Sequence, residues 1–432
     1  MKRLVGKNSD YTVTKRFLKY VQINTQSSSK SKTVPSTERQ KQLSEILKTE
    51  LEELGLDPTV DKVGNVYCKL PSNLEENQTT IPVIALLAHL DTSEDAPSVN
   101  VKPIIHENYS GDKIALPKGN VILDPNEITE LKELVGQDII TSSGDTLLGA
   151  DDKSGIASIM DALTFFVQHP EIKHGEIQVC FSIDEEIGTG PKTISLEKLG
   201  NPKFGYTVDG GSIGRVESCN FNADKVYITF EGFGIHPGRA KNRMVNAIKL
   251  AGEFLDLLPK DTMSPETTEK MEGYVHPFEF QGNVNKAEIT FLIRDFELCE
   301  MKKKEKIIQE LGNKVVGNKK NCKFEMKIVE QYRNMRDIIS QYPFLLDFAE
   351  KAIEKTQTKV IRNPIRGGSD GSYLSYNGLP TPNLSAGGYC FHSIKEFTTI
   401  QHLQKIVDML IELIITWVEE YPKIELKPEK KN

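Results

Sequence analysis

The chain has 432 residues, 38% of them hydrophobic and 27% charged, ordinary proportions for a globular protein with room for two or three domains. A formal net charge of −7 argues against a general nucleic-acid binder, which needs a basic face. No apolar run approaches the roughly 18 residues of a membrane span. The leading MKRLVGKNSDYTVTKRF lacks the apolar stretch of a secretory signal. Six scattered cysteines without a C-x-x-C pair read as reduced thiols, which points to the cytoplasm.

In chain order, residues 36–54 read as a helix, with Leu43, Leu47, Leu51 and Leu54 on one face, Ser36 or Thr37 as cap and Gly55 as stop. IPVIALLAHLDT (81–92) reads as a buried strand ending in His89 and Asp91. Residues 93–145 are polar and rich in turns, a long insertion of the kind that carries function or moves. Ile156, Ile159, Met160, Leu163 and Phe166 predict a helix over 154–168. EIQVCFSIDEEIGTG (176–190) reads as a strand running into three acids, and KFGYTVDGG (203–211) as one closing on Asp209.

The stretch 221–333 alternates strand and helix patterns in the order β-α-β-β-α-β, the order of a ferredoxin-like sandwich. Within it, Ala287, Ile289, Phe291 and Ile293 alternate with Glu288, Thr290 and Leu292. From 334 the α/β character returns, and a final helix runs from Ile400 to Trp417. The expected organisation is an α/β catalytic domain (1–220 and 334–432) split by an inserted α+β domain (221–333), with SSSKSK (27–32) and the charged tail LKPEKKN as mobile segments.

The chemistry gathers where apolar runs end, the place where α/β sheets collect ligands. There stand His89 and Asp91, Asp151 and Asp152, Glu185 and Glu186, Asp209 and, late in the chain, His392. Singly, each has a bland reading as a turn, a solvated loop or a helix start. Together, imidazoles with carboxylates suit zinc, with cobalt or manganese as alternatives. They exceed what one tetrahedral ion takes, so a two-metal site is the natural count. Two divalent cations balance three carboxylates and a bridging hydroxide, leaving a further carboxylate free as base.

The stretches VPSTERQ, LLAHLDTS, TLLGADDKSGIA, DEEIGTG, YTVDGG, HPGRAKNRMVNA, FLIRDF, YRNMR, PIRGGSDG and GGYCFHSIKEF span almost the whole chain. With them the sequence resembles the dizinc metallopeptidase family that holds aminoacylases and carboxypeptidase G-type enzymes, and its tripeptide aminopeptidases in particular. The resemblance implies a zinc-exopeptidase-like catalytic domain with a ferredoxin-like lid. It implies release of the N-terminal residue from tripeptides by a metal-bridging hydroxide. His89 and Asp209 would hold one metal, Glu186 and His392 the other, and Asp151 would bridge them. Asp91 would orient His89, and a cis peptide would follow Asp151. Glu185 would be the general base, His236 would stabilise the oxyanion, and Arg366 would anchor the substrate's C-terminal carboxylate.

Asp184 reads as a helix cap or a supporting contact, and Asn334 and Arg336 as structural residues at the domain return. One departure is Lys395, which stands where the tripeptide aminopeptidase pattern often has a second histidine (H-G-K-H-E-F there, H-S-I-K-E-F here). The insertion carries His106 and Asp112, without pointing to the residue that would meet the substrate amine. A dipeptidase or an N-acyl amino acid deacylase would share the ligand set, and a non-catalytic binding protein is the remote alternative. A homodimer through the inserted domain is compatible with the resemblance, as are open and closed lid states.

Overall fold

The computed structural model describes residues 11–75 and 81–424; the charged tail LKPEKKN lies outside the described residues. The chain divides into two compact units. One comprises the residues up to Ser218, Asp337–Asn363 and Ser369 onward; the other comprises Cys219–Arg336 together with Pro364–Gly368. The short stretch Pro364–Gly368, which the sequence reading left with the catalytic domain, thus clusters with the second unit.

The first unit is built on a seven-stranded sheet in the order Thr59–Val60, Val66–Leu70, Ile177–Ser182, Ile84–His89, Phe204–Gly210, Asn383–Ser385, Val216–Glu217. The four strands from Ile177–Ser182 to Asn383–Ser385 run parallel, and antiparallel pairs flank them. IALLAH and IQVCFS are buried at every position, as expected of strands covered on both faces. Their register sets His89 opposite Ser182, so the residues following both strands emerge at the same sheet end.

The helix Ala150–Gln168 is buried nearly all round, which explains why its apolar residues are not confined to one stripe. Its continuous helical backbone begins after Asp152, next to the predicted start at 154, because Asp151 and Asp152 have non-helical backbone angles at a kink. The Asp151–Asp152 peptide bond is cis. Gly155 allows the close approach of this helix to the sheet, since a Cβ there would stand 2.0 Å from the Val208 carbonyl oxygen.

Two expectations need correction. The helix predicted over 36–54 is Gln40–Glu53, preceded by Val13–Tyr20, and neither Ser36 nor Thr37 caps it; its N-cap position is Arg39. Ser36 instead points its hydroxyl at Asp184. The 93–145 insertion is also more ordered than its polarity suggests. It contributes the strands Ile104–His106 and Ile139–Thr141 to a second sheet with Gly388–Tyr389 and Phe397–Thr399. Its Ile114, Leu116, Leu123, Leu131 and Leu134 share a buried cluster with Tyr389 and Phe397. That cluster buttresses the hairpin that carries His392.

The second unit follows the expected order: Asn222–Glu231, helix Ala247–Leu257, Tyr274–Gly282, Lys286–Asp295, helix Leu298–Val316, Lys323–Tyr332. The strands form one antiparallel sheet with Asn222–Glu231 and Lys286–Asp295 at its centre. The alternating Ala287, Ile289, Phe291 and Ile293 enter one core with Leu250, Phe254, Met301 and Ile308 of the two helices. Asn334 is buried, donating to the Phe296 carbonyl, and Arg336 pairs with Glu297 through two hydrogen bonds.

Candidate metal centre

The C-terminal ends of the parallel strands deliver the predicted side chains to one place. His89 Nε2 lies 2.9 Å from Asp151 Oδ1 and 3.4 Å from Asp209 Oδ1. His392 Nε2 lies 3.2 Å from Asp151 Oδ2 and 2.9 Å from Glu186 Oε2. Each oxygen of Asp151 therefore faces a different histidine, with one further carboxylate beside each Nε2. One ligand atom each from His89, Asp151 and Glu186 lie within 4.8 Å of one another, as do atoms of His89, Asp152 and Asp209.

Local structure explains the aim of each group. His89 ends a fully buried strand, and its Nδ1 faces the Asp91 carbonyl oxygen at 3.0 Å and carboxylate oxygen at 3.4 Å, which leaves Nε2 for the cluster. The two oxygens of Asp91 also accept from the backbone N–H groups of Glu185 (3.0 Å) and Glu186 (3.2 Å). Asp91 thus ties the His89 strand to the acidic turn. Asp209 is steadied by Asn383, whose side-chain oxygen accepts from its N–H at 3.2 Å.

Asp184, Glu185 and Glu186 have three separate environments. Asp184 sits at φ +54° and is turned away from the cluster. It accepts from the Ser36 N–H, the Ser36 hydroxyl and the Gln40 amide. It is a supporting contact and not a helix cap, for a turn follows it. Glu186 reaches His392, yet its Oε1 is buried with no hydrogen-bond partner. An orphaned carboxylate oxygen inside a histidine and carboxylate cluster is costly unless a cation fills the space. The donor set fits divalent metal: neutral imidazole nitrogens and carboxylate oxygens are the ligands such ions take.

The protonation pattern has the same cause. Burial pushes Glu186 and Asp209 up to about 7, with the neighbouring Asp151 adding to the shift in both. Glu185 is driven well above the usual carboxylate range by burial and then by Asp209. His392 is pushed up to about 12 by its hydrogen bonds to Asp151 and Glu186. Burial lowers His89, but Asp151, Asp209 and Asp91 outweigh it and raise this imidazole overall. Divalent cations held by these residues would compete with protons for the same atoms.

Asp152, named with Asp151 but given no role, accepts from the His89 N–H at 3.2 Å. Other residues escaped the sequence reading. Asp95 of the insertion faces His392 Nδ1 at 3.0 Å. Asp370 is buried and accepts from the Ser182 hydroxyl at 3.1 Å. Glu396 is buried and accepts three backbone N–H bonds from the loop carrying Asp151. The only sequence signal for these was their place beside the motif residues. His236 and Arg366 belong to the second unit. His236 Nδ1 accepts from the Gly238 N–H at 3.2 Å. The Arg366 guanidinium donates to the Thr268, Lys270 and Glu272 carbonyls and lies 5.1 Å over the Phe221 ring. Lys395 pairs with Glu127 of the insertion at 2.9 Å.

Comparison with known proteins agrees with this architecture. The family model described as Peptidase family M20/M25/M40 matches residues 148–416. The protein named Peptidase T from Listeria monocytogenes serotype 4b (strain F2365) is 44% identical over 401 residues, which cover 92% of this chain and 97% of that protein. A tripeptidase structure from Staphylococcus aureus subsp. aureus Mu50 superposes with a TM-score of 0.74 at 23% identity, covering 94% of this chain and 98% of that one. A Bacillus subtilis structure titled a dinuclear metal-binding peptidase of the M20 family gives a TM-score of 0.64 at 13% identity, covering 94% and 98%. At these identities the two structures show the shared fold. The chain belongs to peptidase family M20/M25/M40, and within it to the peptidase T proteins. Among the described residues, no helix is long and apolar enough to cross a membrane.

Proposed function

We propose that the protein is a metal-dependent aminopeptidase that releases the N-terminal residue of tripeptides, with two zinc ions as the resident metals. The observation that carries this reading is the double cluster at the strand ends: His89 with Asp209, His392 with Glu186, and Asp151 offering one oxygen to each, around an unpartnered Glu186 Oε1. His89 and Asp209 would hold one ion, His392 and Glu186 the second, and Asp151 both. When bound, the ions acidify a water and polarise the scissile carbonyl.

The chain's own groups do the rest. Glu185, whose burial favours holding a proton, takes one from the attacking water and returns it to the leaving amine. Asp91 fixes the direction of His89 and, through the Glu185 N–H, the start of the base's side chain. His236 is proposed as donor to the developing oxyanion. Arg366 is proposed to anchor the substrate carboxylate, exchanging its present carbonyl partners for a bidentate one.

The test is hydrolysis of Met-Gly-Gly, its N-acetylated form and Met-Gly by the wild type and Glu185→Ala, with and without added zinc. Free methionine from the unblocked tripeptide alone, lost in the variant, is the expected result. Cleavage of the acetylated peptide or the dipeptide instead moves the protein to a deacylase or dipeptidase activity. No turnover of any substrate with metal loaded overturns the enzymatic reading.

A further inference from the structure

Glu396 lies four positions after His392, on the same hairpin, and is 1% exposed. Its Oε2 accepts from the N–H groups of Leu148 and Gly149, both at 2.8 Å, and its Oε1 from the Asp151 N–H at 3.0 Å. These donors precede and open the helix Ala150–Gln168, where backbone N–H groups lack intrahelical partners. One carboxylate from a distant segment therefore satisfies three donors of the loop that presents Asp151. Just beyond that loop in sequence, the buried Lys153 side chain donates to the Ile23 carbonyl at 2.7 Å.

We infer that Glu396 is a positioning residue that locks the Asp151 loop to the His392 hairpin and so sets the spacing between the shared carboxylate and the second histidine. The inference rests on the metal-site reading above. A capping role alone would stabilise the helix start. The geometry goes further, because both of Glu396's neighbours in function, Asp151 through the bond at its own N–H and His392 through the hairpin, belong to the cluster. A rigid clamp there presents the ligands preassembled, and residues that orient metal ligands commonly account for on the order of 10- to 100-fold in affinity or activity.

The test uses Glu396→Gln, which keeps the shape but turns an amide N–H toward a backbone donor, and Thr398→Val. Thr398→Val removes a different hydrogen bond of the same hairpin, the one the Thr398 hydroxyl donates to the Gly387 carbonyl. Three quantities are read: hydrogen exchange of the 148–151 amides in the metal-free protein, zinc affinity by chelator competition, and kcat with KM. For Glu396→Gln, exchange of those amides rises, zinc affinity falls on the order of 10- to 100-fold, and kcat drops with KM little changed. Thr398→Val leaves the exchange and zinc affinity at wild-type values. A folded Glu396→Gln protein with wild-type exchange and zinc affinity overturns the inference. Should that variant not fold, Glu396→Asp, which keeps the charge and loses reach, carries the same comparison. If the wild type binds no zinc, the metal-site reading fails, and the amide exchange still decides the clamp.

Discussion

Replacing Asp184 by alanine should be among the most damaging single changes in the first unit, although Asp184 touches no ligand of the cluster. The carboxylate is 0% exposed and accepts from the Ser36 N–H at 2.7 Å, the Ser36 hydroxyl at 2.5 Å and the Gln40 amide at 2.6 Å. Gln40 closes the exchange by accepting from the Asp184 N–H at 3.1 Å. Alanine leaves the Ser36 N–H buried without its acceptor, at about 1–3 kcal/mol, and leaves the Gln40 amide only its longer bonds to the Ser36 and Thr37 hydroxyls (3.3 and 3.4 Å), at about 1 kcal/mol. It also holds a Cβ residue without a polar side chain at φ +54°, which costs about 1 kcal/mol more. The sum is roughly 3–5 kcal/mol. Ser36→Ala removes one hydroxyl and leaves the carboxylate otherwise satisfied, so about 1 kcal/mol is expected. Asp184→Gly should recover the conformational part, about 1 kcal/mol. The assay is urea unfolding followed by Trp417 fluorescence. Trp417 is the chain's single tryptophan, buried in the first unit, so the signal reports on this unit. The loosened acidic turn should also lower kcat, because Glu185 is the next residue. An Asp184→Ala protein within about 1 kcal/mol of wild type would refute the accounting.

Burial lowers His402 to about 4, with Lys405 adding to the shift, so this imidazole is neutral in the fold and binds a proton more readily when unfolded. Its contribution is present above the ordinary value of 6.5 and is lost as pH falls from there toward 4, up to about 3 kcal/mol, in the same fluorescence assay. His402→Gln should flatten that part of the pH profile, and an unchanged profile would count against the assignment. Glu185→Gln should lower kcat by about 10²- to 10⁴-fold while zinc stoichiometry, read by elemental analysis, stays at the wild-type value; loss of metal would make Glu185 a ligand instead. In Gly155→Ala the new Cβ would meet the Val208 carbonyl and stand 2.4 Å from Asp152 Oδ1, so helix and strand must part. Several kcal/mol of stability should be lost in urea unfolding, about 3 or more, and a soluble variant of wild-type stability would contradict the packing.

The sequence was most legible where one physical demand acted alone. Buried parallel strands are continuous apolar runs, and so 84–89, 177–182 and 204–210 could be read together with the polar residues that end them. Period-two alternation exposed the core face of Lys286–Asp295 in the same way. Where two demands compete, the pattern blurs. Ser36 satisfies the cap rule for the helix that follows, yet its hydroxyl is taken by a carboxylate 148 positions away. Asp151 and Asp152 read as a turn or helix start, and they form a kink whose two carboxylates both meet His89. The 93–145 insertion read as polar and rich in turns because its strands are two or three residues long and its core is completed by Tyr389 and Phe397, which no local window includes. Glu396 was invisible for the same reason: its partners are backbone N–H groups some 245 positions earlier.

The three consecutive acids at 184–186 show how a sheet end can concentrate negative charge without tearing itself apart. Three carboxylates on adjacent residues would repel strongly if they shared one dry space. The left-handed backbone at Asp184 breaks that proximity by sending its side chain to Ser36 and Gln40, where neutral donors hold it. The N–H groups of Glu185 and Glu186 are gripped by the two oxygens of Asp91, which fixes the turn independently of the side chains. Glu186 then faces His392, while burial leaves Glu185 favouring a proton. One acid supports the turn; under the proposed function one would offer an oxygen to a cation and one would move a proton. That division depends on Asp91, which grips the turn with its carboxylate while it orients His89, so a change there should disturb the base and the ligands together.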